Sequence, residues 1–388
     1  MNKIDRRQLL FGGGAIGALG VAASLGVTVC LPACQRSSSD SPDRAQILAD
    51  VTQIVIIPCY EDAATKTAAL ATAVEKLGMT PDTASLTAAQ DAWRAARAAW
   101  KRTDAFLFGP ADDLAVSGGA IDSGAADVAK IAALIAGTTR IDDASAGSLG
   151  GNQRGFVGLE ALLFDPARAN DAIAAGFAGA AGSIEARRRA LATAIARDLR
   201  TKVEAVRDAW LPGKGDYAGT LTRAGRGSKV YSAERNGIDE LVNGLANASE
   251  VLVALRLAKP LGLDQTPQAP HPELCESGIS DASLADIAAV LEGIEMTYTA
   301  TREGRTGVSL AAAVREFRPE GDTELRKSLT TARTAVLAVP PPLRTAVTSS
   351  RDAAIAAHAA VRDVKRRIAT DVASTLGTTI GFGVTDGD

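Results

Sequence analysis

The chain has 388 residues, 42 Lys and Arg against 45 Asp and Glu, and a formal charge of −3. That balance, with no basic cluster interleaved with aromatics, gives no electrostatic footprint for nucleic acid, and neither a Walker loop nor a zinc-finger spacing is present. Residues are 46% hydrophobic but only 4% aromatic; the abundance of Ala and the lack of long period-two stretches argue against a β architecture and for an all-α protein with small-residue helix contacts.

The N-terminus reads as an export signal. Asp5-Arg6-Arg7-Gln8-Leu9-Leu10-Phe11 looks like a twin-arginine motif. An uncharged, Gly-rich apolar run follows, up to Leu31-Pro32-Ala33-Cys34, which resembles a bacterial lipobox with Cys34 as the lipidated residue. Residues 1–33 are thus expected to be a signal peptide, although the run is long enough to stay as an uncleaved membrane anchor. Either way the body is expected in the bacterial cell envelope, facing the periplasm and held to the membrane. Residues 34–43 are polar, cannot bury apolar surface and read as a disordered tether.

Two up-and-down helical bundles are expected next: a first over 44–264, a linker over 265–273 and a smaller second bundle over 274–388. The first helix starts near Arg44, with Leu48, Val51 and Val55 in one stripe and Pro58 as a point of interruption. Thr80-Pro81-Asp82-Thr83 breaks the chain before a helix over 86–103. There Trp93 and Trp100 share a core face. A Gly- and Asp-rich connection follows; Asp112 and Asp113 read as turn carboxylates. Ser183 caps a helix ending at Trp210. After Ser228, the residues Ile238, Leu241, Leu245, Ala248, Leu252 and Leu255 alternate by threes and fours, a bundle seam that Pro260 closes. Pro-rich 265–272 separates this from helices over 283–299, 322–338 and 350–376.

Between the two Trp-bearing regions lies Arg154-Gly155-Phe156-Val157-Gly158-Leu159-Glu160-Ala161-Leu162-Leu163-Phe164. Glu160 is a single carboxylate in an apolar helix, which is costly unless paired, hydrogen-bonded or protonated. Two readings stand open: an ion pair with Arg154, or a functional acid or ligand. The stretch resembles the signature of the imelysin-like proteins, Gly-x-His-x-x-Glu, with Gly155 and Glu160 matching and Val157 in the histidine position. Ala120-Ile121-Asp122-Ser123, Lys259-Pro260-Leu261-Gly262, Glu276-Ser277-Gly278-Ile279-Ser280 and the terminal stretch from Gly381 to Asp388 are also similar to that family. The resemblance implies two helical bundles, and a role in ligand or metal binding linked to iron acquisition at the envelope. Its peptidase label makes a metallopeptidase the alternative, and a non-catalytic interaction module a second one.

The resemblance and the residue types together name a candidate ligand set: Arg154, Gly155, Glu160, Asp122, Glu276 and Ser277. Metal chemistry is thinly supplied, with two histidines in all. His271 lies in the linker and His358 beside the apolar stripe of the last helix. A zinc site needs three or four placed ligands, and Val157 offers no lone pair. A carboxylate site on Glu160 for iron or another divalent cation stays open. The polar Glu276–Ser280 segment reads either as an anion-binding helix N-terminus or as the cap of the helix at Ser283. Cys59 and Cys275 form a disulfide candidate in an oxidising envelope, with two buried thiols as the other reading. The partners expected are the membrane, through the lipid anchor, and envelope components of iron uptake.

Overall fold

Asp43 caps the first helix: its side chain accepts from the Ala45 amide. The structure is a computed structural model and describes residues 42–116, 119–264 and 269–381. The leader, Cys34, nearly all of the tether, linker residues 265–268 and Phe382 to Asp388 lie outside the described residues. The helix does not break at Pro58. It runs from Arg44 to Met79, widening into a π segment at Thr52–Ile56 just ahead of the proline. A wider turn absorbs a residue that cannot donate its amide. Pro260 is treated in the same way, behind a π segment at Leu252–Ala258.

The break at Thr80-Pro81-Asp82 is present. The Asp82 carboxylate accepts from the Ser85 amide at 2.7 Å and opens the helix Thr83–Lys101. With Ile184–Trp210, capped by Ser183, these helices form the first bundle. Its centre holds Trp93, Trp100, Trp210 and Tyr60, all fully buried. Three consecutive arginines near the start of Ile184–Trp210 each hold a different segment. Arg187 donates to the carbonyls of Leu134, Ile135 and Thr139, at the end of the helix Val128–Ala136. Arg188 donates to Leu162 O, in the last turn of the helix Gly155–Leu163. Arg189 donates to Phe177 O and to Gly179 O. Unsatisfied carbonyls at helix ends favour such cationic donors.

The second bundle joins four helical runs: Glu234–Leu261, Ser283–Thr299, Pro319–Leu337 and Arg351–Arg367, the last extended through Ile368–Ala373 to Leu376. Glu234–Leu261, expected in the first bundle, packs against Ser283–Thr299 and Arg351–Arg367 as well as against Arg44–Val51. The 3-10 turn Arg102–Phe106, which continues the Trp-bearing helix, packs on both Glu234–Val251 and Ser283–Thr299. Packing therefore does not divide at the Pro-rich segment, and the folded body is one compact unit. The helices Leu310–Phe317 and Leu343–Ser349 and the hairpin Thr301–Arg302 with Arg305–Thr306 were not expected. Each is too short to carry a readable period.

Candidate functional site

Gly155 opens the signature helix with φ +62°, and a Cβ there would lie 2.3 Å from the Ile121 carbonyl. Only glycine lets the 120–122 loop lie this close. The Phe156 amide then donates to Ile121 O at 2.9 Å. This contact fixes Asp122 beside the Trp-bearing helix. There, Asp122 meets Arg97 Nη1 and Lys101 Nζ, both at 2.5 Å.

Those two cations hold together parts of the chain that are far apart in sequence. Arg97 Nη2 reaches Glu276 at 2.6 Å and its Nε reaches Asp286 at 2.9 Å. Lys101 also contacts Glu276. Arg256, carried inward by the π segment, binds Glu276 with Nε and Asp104 with Nη2, each at 2.7 Å. Its Nη1 is buried with no hydrogen-bond partner. Arg97 and Lys101 are 1% exposed. The guanidinium of Arg97 also lies 5.5 Å from the Phe156 ring centroid and 5.9 Å from that of Trp93. The Trp93 indole donates to the Phe156 carbonyl, tying the signature helix to the same helix.

Glu160 joins this network from the opposite side. Its Oε1 accepts from the Ser280 amide at 2.9 Å and from the Ser280 hydroxyl at 2.7 Å. Ser277 donates to Asp286 at 2.6 Å. Ser277 and Asp281 adopt positive φ, of 53° and 61°, conformations that non-glycine residues hold only where surroundings enforce them. The Glu276–Ser280 segment directs the Ser280 amide and both serine hydroxyls at carboxylates of the fold. The cap position of Ser283–Thr299 is Ala282, and both serine hydroxyls donate to carboxylates.

The charges sort the carboxylates into two kinds. Burial opposes ionisation of Glu276, but Arg256, Lys101 and Arg97 outweigh it and hold that carboxyl well below its usual range. Asp122 is likewise held low, with Arg97 and Lys101 outweighing burial. Glu160 and Asp286 are pushed up. For Glu160, burial exceeds the pull of the Ser280 hydrogen bonds and Arg97. For Asp286, burial exceeds the pull of Arg97, whose one charge serves three carboxylates, and of Lys101.

Of the residues expected from the sequence, Glu160, Asp122, Glu276 and Ser277 come together, and Gly155 sets the loop that delivers Asp122. Arg154 does not pair with Glu160: its Nη1 donates to Gly147 O at 2.5 Å. Arg97, Lys101, Arg256, Asp104, Asp286 and Ser280 complete the cluster and were not singled out. A metal role for Glu160 does not fit. Both Ser280 donors occupy its Oε1, and cations already sit between the neighbouring carboxylates. Val157, in the signature's histidine position, is buried and offers no lone pair. Among the described residues no group of three His, Cys, Asp or Glu side chains is placed to hold a metal ion. Cys59 and Cys275 are separate buried free thiols, not a disulfide. A surface concavity of about 790 Å³, lined by Glu75, Met79, Asp143, Arg189 and Arg197 among others, shares no residue with the network.

Comparison with known proteins places this arrangement. Residues 56–370 match the family model described as Imelysin, a peptidase family by its label. Iron-regulated protein A of Synechococcus elongatus is 26% identical over 337 residues, covering 86% of each chain. A candidate iron-regulated protein A precursor from Parabacteroides distasonis has a solved structure with TM-score 0.72 at 24% identity, covering 87% of this chain and 97% of its own. An imelysin-like protein from Psychrobacter arcticum is similar at TM-score 0.69 and 19% identity, with the same coverage.

Proposed function

The chain belongs to the imelysin family, and on that premise we propose that it is a ligand-binding, non-peptidase lipoprotein of the cell envelope that serves iron-linked physiology. The observation that carries the binding role is the charge of the buried seam. Five carboxylates, Asp104, Asp122, Glu160, Glu276 and Asp286, face three cations, Arg97, Lys101 and Arg256. Asp122 and Glu276 are the two held ionised, and they keep side-chain exposures of 14% and 16%. A ligand that presents a positively charged group would meet those two carboxylates first. Few polar groups on otherwise apolar walls, where helical layers meet, is the usual make-up of a binding site. The link to iron rests on the relative from Synechococcus elongatus, which is named for iron regulation.

The reading against peptidase activity rests on donor chemistry. A catalytic zinc is held by about three protein ligands with a water position open; here Val157 supplies none and Glu160 is committed to Ser280. Envelope attachment rests on Arg6-Arg7 and on Leu31-Pro32-Ala33-Cys34.

The test is complementation of a strain lacking the gene, with growth followed across iron supply. Wild-type protein is expected to restore growth at low iron, and Asp122→Asn to fail while accumulating to the same level. Full rescue by Asp122→Asn removes the binding site proposed here; no growth defect at low iron removes the iron link. Purified protein is expected to cleave no peptide in a chelator-sensitive manner. Cys34→Ala is expected to move the protein from the membrane to the soluble fraction, and an unchanged membrane fraction would remove the lipid anchor.

A further inference from the structure

One end of the folded body carries both the tether and a basic turn. Gly237, in the first turn of Glu234–Val251, lies against Leu48: a Cβ there would be 2.8 Å from the Leu48 side chain. Farther along, Gly244 backs onto the Ala105 carbonyl, and Tyr60 donates to the Phe106 carbonyl. Glu234–Val251 therefore runs parallel to Arg44–Met79, and both helices start at the same end. The tether enters the body there, at Asp43. At about 1.5 Å per residue, Met79 and the concavity beside it lie about 54 Å away. The loop before Glu234–Val251 belongs to the tether end. The stretch from Tyr217 to Ala233 holds Arg223, Arg226 and Lys229 and no acidic residue. Ala224 and Tyr231 are buried, and the Gly225 amide donates to Tyr231 O at 3.0 Å. Ser228 Oγ accepts from the amides of Val230 and Tyr231. These bonds close a fixed turn that holds Arg226, Lys229 and Val230 outside, with Val230 60% exposed. Arg226 and Lys229 form no ion pair among the described residues, whereas Arg223 pairs with Asp216 at 3.2 Å. Arg44 is exposed at the same end. Of the acids nearest to it, Asp43 is turned to the Ala45 amide and Glu234 is half-buried.

We propose that the Arg223–Val230 turn is a second membrane contact, an electrostatic dock on anionic phospholipid headgroups that orients the body on its tether. The proposal rests on the reading that the tether leads to a lipid-bearing Cys34. Residues 34–43 span at most about 35 Å when fully extended. The tether thus keeps this end within reach of the bilayer, and nothing on it holds the far end there. Lys and Arg close to a bilayer are drawn to anionic headgroups, an attraction that fades within a Debye length. An exposed Val beside those cations is the side chain to enter the headgroup layer, the arrangement of interfacial segments that set apolar residues next to Lys and Arg. The chain as a whole is acidic, with a formal charge of −3, so attraction to an anionic surface has to come from a local patch. The turn is already fixed in the folded body, and docking therefore costs little ordering. A body docked in this way turns its far end, with the concavity near Met79, away from the bilayer.

The experiment floats the mature chain, residues 34–388 with Cys34→Ser, together with lipid vesicles. The substitution removes any acyl chain, and the body is a compact unit without the leader. Vesicles of phosphatidylglycerol and phosphatidylethanolamine are compared with vesicles of phosphatidylcholine at low ionic strength. The protein is expected to float with the anionic vesicles alone and to be released by salt. Lys229→Glu is expected to weaken that binding about five-fold or more. Arg140→Glu makes the same change of charge beside the far concavity, where Arg140 meets Asp142, and is expected to bind as the parent does. Circular dichroism checks that each variant is folded, and the parent chain decides the matter without them. No flotation with the anionic vesicles overturns the proposal. So does equal flotation with phosphatidylcholine, or an equal loss in Lys229→Glu and Arg140→Glu. These results concern the turn alone; the fractionation of Cys34→Ala tests the lipid anchor, and either can fail while the other stands.

Discussion

Replacing Arg97 with methionine tests whether the buried network holds the body together. Methionine fills much of the same stem volume but leaves Asp122, Glu276 and Asp286 without the cation they share. Lys101 still serves Asp122 and Glu276, and Arg256 still serves Glu276, so the loss falls mainly on Asp286. Breaking a buried pair costs about 3–5 kcal/mol because a charge is left uncompensated. About 330 folded residues at roughly 2.1 cal/mol/K each give an unfolding entropy near 0.7 kcal/mol/K, so Tm should fall by about 4–7 °C. Scanning calorimetry at neutral pH reads this directly. Arg140→Ala is the control, since Arg140 is 87% exposed in its pair with Asp142, and exposed pairs contribute little. The sign of the pH dependence follows from the three carboxylates that Arg97 serves: it lowers each of them, although burial leaves Asp286 above its ordinary value while Asp122 and Glu276 lie below theirs. A lowered carboxylate stabilises the fold above its unfolded pKa, and that contribution is lost as pH falls through the folded one. The Arg97→Met deficit should therefore be largest at neutral pH and shrink on acidification, beginning above the ordinary carboxylate range because Asp286 carries most of it. A variant melting within about 1 °C of wild type at neutral pH would refute the reasoning, as would a deficit that grows on acidification.

Glu160→Gln should keep the fold, because the amide oxygen can still accept from Ser280. The folded pKa of Glu160 is raised above 4.5, so wild-type stability should decline relative to the variant as pH rises through that window; parallel melting curves from acid to neutral pH would contradict this. Gly155→Ala should cost about 1–3 kcal/mol and displace the Asp122 loop, seen as a lower Tm; an unchanged Tm would mean that the close approach to Ile121 is not needed. Cys59 and Cys275 should both be alkylated after unfolding without reductant, as peptide mapping would show. In the native protein both should react slowly, since burial pushes the thiols up to about 11 and about 12.

The helices were legible where caps and breakers sit at their ends. Ser183, Asp82 and the start at Ser283 all mark real boundaries. The carboxylates of the site could be read because family-like segments surround them. Their cations could not, since in a helix rich in Arg and Lys such residues usually face water. A signal was present all the same: Arg97 follows Trp93 by four residues and Lys101 follows Arg97 by four, on the face that Trp93 marks as buried. Arg256 was hidden by a change of phase. A strict α-helix puts Leu255 on the seam, but the π segment Leu252–Ala258 turns the helix, leaving Leu255 37% exposed and Arg256 6% exposed. Hydrophobic spacing cannot show where a helix will widen.

The three arginines of Ile184–Trp210 have a kinetic consequence. Arg187, Arg188 and Arg189 reach three segments separated in sequence, among them the end of the signature helix. The helices in or beside those segments are short: Val128–Ala136 and Gly155–Leu163 are nine residues long and Asn170–Ala175 only six, lengths at which an isolated helix does not persist in water. Their docking should be firmest once the first two turns of the long helix are wound and the guanidinium groups are in place. Their amides should then exchange with deuterium as one cooperative unit, at a rate set by the fraying of that helix end. The floor on which Glu160 stands would thus open and close with a helix terminus to which Glu160 itself makes no hydrogen bond.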